Sequence, residues 1–331
     1  MQTQIILSGR GRFRRARSVV VLALLSIATM PAFPWGQQGH EEIARLAQTM
    51  LTSATLTHVH DLLGTNDMAS VSVWADRARQ LMKYHNGPLT NSPEAHQFIL
   101  DHPDNDKWHF DDLPLGTFKY VYNGRFATNN DIVHSLTNCI AVLEGNSKFI
   151  TTTQALRYVI HLVGDIHQPL HVGCGYYTNE AGAARLIKDP NDIADPGAND
   201  AGANLLWIGG SKDHPLHSYW DNDMVAVVNR GHNSQQMLAL LRNAVDAKKW
   251  KKRGDYHNWP ARWAKDSVTE ANGVYDGVTF GAAKFNHKGE PQDIVITLAP
   301  DYRAKQTPRA TRQLAKAAFH LAELLNRIKW K

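Results

Sequence analysis

Histidines and carboxylates are densest in the stretch His161-Leu-Val-Gly-Asp-Ile-His-Gln-Pro-Leu-His171. His161 and Asp165 are four residues apart, so on a helix both side chains point to the same side. Pro169 cannot continue such a helix, and it pushes Gln168 toward an extended conformation. We therefore predict a helix that ends before the proline, with His171 just beyond its end and facing the same cavity as the other two side chains.

A second histidine–carboxylate pair, His217 and Asp221, repeats the same i, i+4 spacing. For a single pair, an ordinary ion pair on a helix surface is the more frequent explanation. Two such pairs together with His171 favour a metal, because burying several His and Asp side chains without a cation leaves unpaired polar groups. Mixtures of imidazole and carboxylate ligands suit zinc.

On both sides of this stretch, apolar residues recur at helical spacing along much of the chain. They predict helices over 41–51, 131–143, 155–163, 237–247 and 311–328, and the last of these is the clearest amphipathic helix.

Strand signals are few by comparison, with only 119–122 and 294–298 as short, isolated candidates. The stretch 173–204 is rich in Gly, Ala, Asp and Asn, and we predict that it forms a long loop and a flexible insertion. The predicted fold class is therefore mainly α: a single-domain multi-helix bundle over residues 35–331.

The first 34 residues differ in kind from the rest. Five arginines between residues 10 and 17 precede an apolar run over 19–28, and small residues with Pro then lead to Trp35. This order is typical of a secretory signal peptide, so we predict a signal peptide over 1–34 and a secreted or periplasmic protein. The apolar run is short for a bilayer span, and no stable membrane association is expected. Arg14-Arg15 also matches the start of a twin-arginine signal, although the residues after it fit that motif poorly.

Charge and cysteine content narrow the function further. The leader holds five of the 36 Lys and Arg residues and none of the 31 Asp and Glu residues, so the remainder is balanced at 31 against 31. A surplus of basic side chains is therefore not what binds a polyanion here, whereas a bound divalent metal supplies local positive charge. Pairing of Cys139 with Cys174 stays open. The sequence holds no Asn-Xaa-Ser/Thr sequon, which favours a bacterial periplasm over glycosylated secretion.

Three more motifs supply candidate ligands. Trp35-Gly-Gln-Gln-Gly-His40 follows the leader; its simpler interpretation is an aromatic anchor for a helix, but a free Trp35 amine and its carbonyl can also chelate a metal beside His40. The Trp-Ala-Asp-Arg-Ala-Arg segment adds Asp76 and Arg79. The Lys-Trp-His-Phe-Asp-Asp segment adds His109.

Together these motifs resemble one family, the zinc-dependent type I nucleases (the S-one/P-one group of single-strand-specific nucleases), which are relatives of zinc-dependent phospholipase C. The resemblance covers nearly all of 35–331, with the motifs in family order. It implies the helical bundle of the phospholipase C and type I nuclease kind. The motifs are Trp35-Gly36 with Gly39-His40, Trp74-Ala75-Asp76 with Arg79, His109-Phe110, the 161–171 run, Leu216-His217 with Trp220-Asp221, and Trp263-Ala264 with Ser267.

The resemblance implies three zinc ions. One is held by Asp76, His109, His161 and Asp165, a second by the amine and carbonyl of Trp35 with His40 and the bridging Asp165, and a third by His171, His217 and Asp221.

The sequence departs from the family at the leader junction, where Phe33-Pro34 precedes the tryptophan. Cleavage after Ala32 would leave this dipeptide attached, and a second step that removes an Xaa-Pro dipeptide would expose Trp35.

The activity that the resemblance implies is hydrolysis of single-stranded DNA and RNA to 5′-phosphorylated products, together with 3′-nucleotidase activity. The resemblance does not imply a protein partner. Asp76, Arg79 and Asp165 are the implied catalytic residues. Phe110 is implied to stack on a base and Asp112 to bond the base edge, and Asn204 matches a family Gly-Gly-Asn motif at the substrate site. Residue chemistry alone leaves Phe110 open as a core residue and Arg79 as a surface ion pair.

Two other functions remain open at this point. A phospholipase C uses the same zinc cluster but needs a cleft for a diacylglycerol leaving group. The sequence of the Gly-Asp-Ile-His-Gln-Pro-Leu-His motif is nearer the nuclease form than the phospholipase form. A non-catalytic zinc protein normally has closed, four-coordinate sites, whereas His171, His217 and Asp221 make an open set of three.

Overall fold

The helix that carries His161 and Asp165 runs from Thr152 to Asp165 in the computed structural model, which describes residues 35–331. The predicted signal peptide, residues 1–34, lies outside the described residues. The helices are α1 (Gly36–Gln48), α2 (Ser53–Leu63), α3 (Met68–Val71), α4 (Trp74–Tyr84), α5 (Pro93–Asp101), α6 (Ile132–Leu143), α7 (Thr152–Asp165), α8 (Leu216–Ser218), α9 (Val225–Val228), α10 (Ser234–Ala244), α11 (Ala247–Trp250), α12 (Trp259–Val274) and α13 (Tyr302–Leu325).

Shorter elements join these helices. Tight 3₁₀ turns cover Asn105–His109, Pro169–His171, Pro190–Asp192 and Tyr256–Asn258, and a π-helical turn covers Tyr219–Met224 between α8 and α9. The strands are β1 (Leu113–Pro114), β2 (Gly173–Cys174), β3 (Tyr177–Glu180), β4 (Ala183–Leu186), β5 (Leu206–Ile208), β6 (Val278–Phe285) and β7 (Pro291–Leu298).

Helix α7 lies at the centre of the bundle and fixes the site. Its N-terminus is closed by a capping box, in which the Thr151 side chain accepts from the Gln154 backbone N–H and Gln154 reciprocates. Its last five residues are all buried, and the helix packs against α1, α6 and α13. The helix ends before Pro169, and Gln168 is extended with φ −80° and ψ 114°, as predicted.

The mainly α class is confirmed, and helix is present at each segment where the apolar spacing predicts it. The largest difference is α13, which begins at Tyr302 rather than near 311 and continues through Pro308. Tyr302 is buried, its hydroxyl donates to the Val274 carbonyl at 2.7 Å, and it accepts from Trp220 Nε1 at 3.0 Å. This anchoring holds the first turns of the helix in spite of the proline.

The strand predictions are partly wrong. Residues 294–298 do form a strand, but within a five-stranded sheet of order β3-β4-β6-β7-β5, in which β5 and β7 are parallel and the other pairs antiparallel. Residues 119–122 are not a strand, because only Tyr120 is buried there and no neighbouring strand pairs with the segment among the described residues. That surface segment is instead held by the Tyr120 hydroxyl, which donates to Asp131 Oδ2 at 2.7 Å.

The stretch 173–204 is not the long loop that its composition predicts. It contains β2 and the β3–β4 hairpin, whose turn at Ala181 and Gly182 has positive φ at both residues. Its far end returns to the interior through Asp200, which is fully buried.

The structure also bears on cysteine pairing and on membrane-spanning helices. Cys139 and Cys174 are both buried free thiols that belong to separate apolar clusters. Within residues 35–331, no helix combines the length and the apolar character that a bilayer span requires.

Candidate metal centre

The predicted ligands meet at the inner end of α7. His40 comes from α1, Asp76 from α4, His109 from a 3₁₀ turn, and His161 and Asp165 from α7 itself. The turn after α7 supplies His171, and the α8–π region supplies His217 and Asp221. All eight side chains are buried, and their ligand atoms form three groups, each within 4.8 Å: His40, His161 and Asp165; Asp76, His109 and His161; and His171, His217 and Asp221.

Asp165 occupies the middle of the first two groups. Its Oδ1 lies 3.1 Å from His40 Nε2, while its Oδ2 lies 3.0 Å from His109 Nδ1 and 3.1 Å from His161 Nε2. The two oxygens therefore face different sets of imidazoles. This is the arrangement that a carboxylate bridging two cations requires.

Asp76 and the third group complete the cluster. Asp76 Oδ1 is 3.7 Å from His161 Nε2 and 3.8 Å from His109 Nδ1, so it faces the same point as those rings. In the third group, His217 Nε2 is 3.2 Å from Asp221 Oδ2.

Hydrogen bonds to backbone carbonyls determine which imidazole nitrogen of three histidines is available to bind a metal. His161 Nδ1 lies 2.7 Å from the Ser72 carbonyl, His171 Nδ1 lies 2.8 Å from the His109 carbonyl, and His217 Nδ1 lies 2.6 Å from the Gly202 carbonyl. A carbonyl accepts but cannot donate, so each Nδ1 carries the proton and each Nε2 keeps a lone pair. Outer partners of this kind orient histidine ligands in metal sites.

Unsatisfied polar atoms are concentrated at this cluster. Among the described residues, several of its buried ligand atoms have no hydrogen-bond partner, although buried polar atoms normally have one. The atoms are His40 Nδ1 and Nε2, both Asp76 oxygens, His109 Nε2, Asp165 Oδ1, His171 Nε2 and Asp221 Oδ2. His40 Nε2 and Asp165 Oδ1 are close but not aligned as a hydrogen bond, so the donor set fits cations held between the side chains.

Burial and the carboxylates act in opposite directions on the imidazoles: the pKa values of His109 and His171 are lowered, which favours their neutral forms, whereas those of His161 and His217 are raised, which favours charge. Burial alone would raise the pKa of Asp165, but His161 and the hydrogen bonds from the surrounding imidazoles hold that pKa well below its usual range. Burial lowers the pKa of His171 to about 4 and that of His109 well below its ordinary value. Burial also disfavours charge on His161, yet Asp165 and Asp76 raise its pKa to about 9, which shows how strongly this site favours positive charge.

Trp35 is fixed at the edge of the same cluster. Its ring is fully buried, and the indole Nε1 donates to the Gly164 carbonyl at 3.0 Å. Its backbone nitrogen lies 3.2 Å from Asp221 Oδ1, so it contacts the third group. Gly36 permits this approach, because a Cβ there would lie 2.9 Å from Asn222 Oδ1 and 3.0 Å from the Asp221 carbonyl oxygen.

A cleft of about 500 Å³, which we call the metal-centre cleft, opens beside the ligands. Asp76, His171 and His217 line it, together with all four residues predicted to contact substrate. Those four are Arg79, Phe110, Asp112 and Asn204.

The four side chains are placed differently around this opening. Phe110 is 37% exposed on the wall, which excludes a core role for its ring. Arg79 is part-buried with Nη2 3.1 Å from Asp76 Oδ1, so it forms an ion pair with a predicted ligand. Burial and Asp200 raise the pKa of Asp112 to about 6. Asn204 Nδ2 donates to the Ala201 carbonyl at 2.8 Å.

Comparison with known proteins gives the family directly. The sequence profile described as S1/P1 Nuclease matches residues 35–329. The chain belongs to the S1/P1 nuclease family. Endonuclease 2 of Arabidopsis thaliana is 26% identical over 325 residues, covering 93% of this chain and 97% of the relative. Nuclease S1 of Aspergillus oryzae is 26% identical over 316 residues (92% and 95%), and Nuclease P1 of Penicillium citrinum is 24% identical over 313 residues (89% and 97%).

Membership of the S1/P1 nuclease family makes this protein a hydrolase of phosphodiester bonds that acts on nucleic acid. The family is metal-dependent, and the three His and Asp groups are where this nuclease can hold metal ions.

Several site residues of this S1/P1 nuclease are not found by sequence reasoning. Gln168 Nε2 donates to Asp221 Oδ1 at 2.7 Å and so orients that carboxylate. Lys83 and Tyr84 line the metal-centre cleft beyond Arg79 on α4. Their helical spacing from Arg79 is a signal that could have found them.

Asp200 is a further missed residue, and it holds the 173–204 stretch against the site. Its Oδ1 accepts from the Gly175 and Ala203 N–H groups at 3.2 and 2.9 Å. Its Oδ2 accepts from the Tyr177 and Tyr275 hydroxyls at 2.9 and 2.8 Å. These four bonds position the backbone from which the Gly202 carbonyl reaches His217.

Replacing Asp200 with Ala is therefore expected to destabilise the nuclease by about 3 kcal/mol, because three buried donors lose their acceptor and the Gly175 N–H keeps only the Tyr275 hydroxyl. It should also weaken metal binding at the third group about tenfold, since His217 loses its fixed orientation. Thermal unfolding and metal titration measure the two effects, with Asp200→Asn as the conservative comparison. A destabilised variant with unchanged metal affinity would limit Asp200 to a role in folding.

Proposed function

We propose that this chain is an exported zinc-dependent nuclease that cleaves single-stranded DNA and RNA to 5′-phosphorylated products, with 3′-nucleotidase activity on nucleotides. Residues 35–331 form its catalytic domain, and residues 1–34 are its signal peptide. The observation that carries the proposal is the set of buried, hydrogen-bond-deficient ligand atoms around Asp165, open to a cleft with an exposed aromatic wall. The names of the relatives, among them Nuclease S1 and Nuclease P1, support the nuclease activity.

The donor chemistry suits zinc at three positions. Nitrogen and carboxylate oxygen ligands without cysteine are typical of catalytic zinc, which keeps open positions for water and substrate. We assign one ion to Asp76, His109, His161 and Asp165, one to Trp35, His40 and Asp165, and one to His171, His217 and Asp221. Bound zinc supplies Lewis acidity and lowers the pKa of a coordinated water to near 7.

The residues of the chain then position and stabilise the reacting phosphate. Asp165, whose pKa lies well below its usual range, balances the charge of the cations, and a bound cation would favour the ionised form of Asp76 against the burial that raises its pKa. The Arg79 guanidinium lies on the cleft wall with one edge at Asp76. We assign it the role of stabilising the negative charge that develops on the phosphate oxygens. Asp112, with its pKa near 6, can accept or donate a hydrogen bond at the edge of a base.

Preference for single strands follows from the position of Phe110. An exposed ring on the wall stacks on a base only if that base has left its own stack, and a duplex keeps its bases stacked and paired. The balanced charge of residues 35–331 also predicts weak non-specific binding to duplex DNA.

The direct test measures zinc content and hydrolysis of single-stranded DNA, RNA, duplex DNA and phosphatidylcholine on one sample. We expect close to three zinc ions, cleavage of both single-stranded substrates, and loss of activity on chelation that zinc restores. Cleavage of phosphatidylcholine alone would make the enzyme a phospholipase C. Zinc without any hydrolysis would make it a binding protein.

Phe110→Ala is expected to raise the KM for single-stranded substrates about tenfold, because base stacking on an aromatic ring contributes about 1–3 kcal/mol. Zinc content should not change, since the ring is not a ligand. Phe149→Ala is the matched control, because Phe149 is 38% exposed but lies outside the metal-centre cleft. An unchanged KM in the Phe110 variant would reject the stacking role.

A further inference from the structure

A second cleft, of about 520 Å³, lies between the segment that follows β1 and the start of α12. It shares no lining residue with the metal-centre cleft. We call it the aromatic–basic cleft and define it by Phe118, Lys119, Tyr122, Arg262 and Lys265. None of these residues takes part in the function proposed above.

The aromatic side of this cleft is unusually exposed. The Phe118 side chain is 87% exposed and that of Tyr122 is 42% exposed. Tyr120 between them is buried and bonded to Asp131, so it anchors the segment while the Phe118 and Tyr122 rings are exposed to solvent. Exposed apolar patches of this kind mark binding surfaces more often than isolated apolar residues do.

Basic side chains also line the cleft: Lys119 follows Phe118 on the aromatic segment, and Arg262 and Lys265 lie on α12. Among the described residues, no carboxylate lies within 4.0 Å of the cationic groups of Lys119, Arg262 and Lys265 in an ion pair. The carboxylate on the cleft, Asp266, is engaged by Lys252 at 2.6 Å and Lys316 at 3.5 Å. Asn258, the N-cap residue of α12, also lines the cleft, so the positive end of the helix dipole lies there, and the first turn carries no acidic residue.

The Arg262 guanidinium donates to the Arg253 carbonyl at 2.7 Å and keeps its charge. Aromatic rings beside cations that no carboxylate neutralises suit a polyanion that carries aromatic bases. Non-specific binding of single-stranded nucleic acid uses this combination: bases stack on aromatic rings while a positive groove follows the phosphates. We propose that the aromatic–basic cleft binds a distal part of the single-stranded substrate while another part of the same strand occupies the metal-centre cleft. This inference rests on the proposed function, because it extends the substrate contact of that same reaction.

The two clefts are close enough for one strand. Phe118 follows Asp112 by six residues, which span at most about 22 Å of chain. A strand with a rise of about 3.4 Å per nucleotide covers that distance with roughly seven nucleotides. A 20-mer, at about 68 Å, is long enough to reach both clefts even if its path over the surface is longer than this straight distance, whereas a dinucleotide fills only one.

The test compares a (dT)20 strand with a dinucleotide. Phe118→Ala should raise the KM for the 20-mer about tenfold and leave dinucleotide kinetics unchanged. The double variant Lys119→Gln/Lys265→Gln should reduce the slope of log(kcat/KM) against log salt for the 20-mer by about 1.4, since each phosphate contact contributes about 0.7. Lys288→Gln, an exposed lysine in the β6–β7 turn, is the matched control and should leave the slope unchanged.

Fluorescence anisotropy with the labelled 20-mer separates this inference from the proposed function. If the wild type hydrolyses no nucleic acid but binds the 20-mer through Phe118, the proposed function fails and the binding cleft stands. Hydrolysis with equal effects of Phe118→Ala on both substrates, or with none, overturns the cleft alone. Phe118-dependent binding to phosphatidylglycerol vesicles, with unchanged 20-mer kinetics, would assign the cleft to a lipid surface and also overturn it.

Discussion

Replacing Asp165 with Asn is expected to remove two of three zinc ions and to lower hydrolysis of single-stranded DNA roughly a thousandfold or more. The carboxylate is fully buried, and its two oxygens face different imidazoles: His40 on one side, and His109 with His161 on the other. An amide keeps the shape but removes the negative charge and gives one side a donor in place of an acceptor. Both cations assigned to this carboxylate therefore lose a ligand in one substitution.

Asp131→Asn is the matched control for this experiment. Asp131 is also buried, but its oxygens accept hydrogen bonds at the N-terminus of α6 and from the Tyr120 hydroxyl. Asn caps a helix about as well as Asp, so the replacement should cost about 1 kcal/mol of stability through the weakened hydrogen bond from the Tyr120 hydroxyl and leave the zinc content unchanged. Zinc content by mass spectrometry and initial rates decide the outcome: three retained ions, or a near-normal rate, would refute the bridging role of Asp165.

The ligands on α7 could be predicted from sequence because local geometry determines them. The i, i+4 spacing puts His161 and Asp165 on one side of a helix, and the proline fixes where that helix ends. His217 and Asp221 have the same i, i+4 spacing and could be predicted in the same way, although a π-helical turn follows His217. Which of these ligands share an ion came only from the family resemblance, since the contacts join parts of the chain far apart in sequence.

The rest of the site depends on contacts that no local pattern encodes. The Gly202 carbonyl reaches His217 only because Asp200 fixes the intervening backbone, and because glycine at this positive φ leaves room for the Leu170 carbonyl. Composition suggested a flexible loop there, since small and polar residues rarely mark buried structure. Burial of one carboxylate with four donors overrides that local preference.

The sheet was missed for a related reason. Strands β3 and β4 are mostly exposed and include Ala, Asn and Arg, so they lack the alternation of apolar and polar residues that identifies a half-buried strand. Their pairing is supplied by the hairpin turn and by a single contact with β6, Ala183 opposite Ala282. Tertiary pairing, rather than intrinsic preference, makes these residues strands.

A protein whose chain begins at Trp35 is expected to bind one more zinc ion, and to hydrolyse substrate on the order of 100-fold faster, than one that retains Phe33-Pro34. The structure fixes Trp35 in a left-handed backbone conformation with φ 50°, locks its ring through Gly164 and places its nitrogen 3.2 Å from Asp221 Oδ1. In the longer chain that nitrogen is a peptide N–H, which donates a hydrogen bond but has no lone pair for a metal.

Rescue makes this last experiment decisive. Treating the longer protein with a dipeptidase that removes Xaa-Pro dipeptides should expose the Trp35 amine and restore both the missing zinc and the rate. Zinc at His171, His217 and Asp221 should be present in both forms, because the Trp35 nitrogen contacts Asp221 Oδ1, whereas Asp221 Oδ2 is the oxygen that faces His217. Equal zinc content and equal rates before and after trimming would show that the amine pairs with Asp221 as an ammonium and is not a ligand. If zinc and rate rise together on trimming, processing of the leader is itself the step that completes the metal centre.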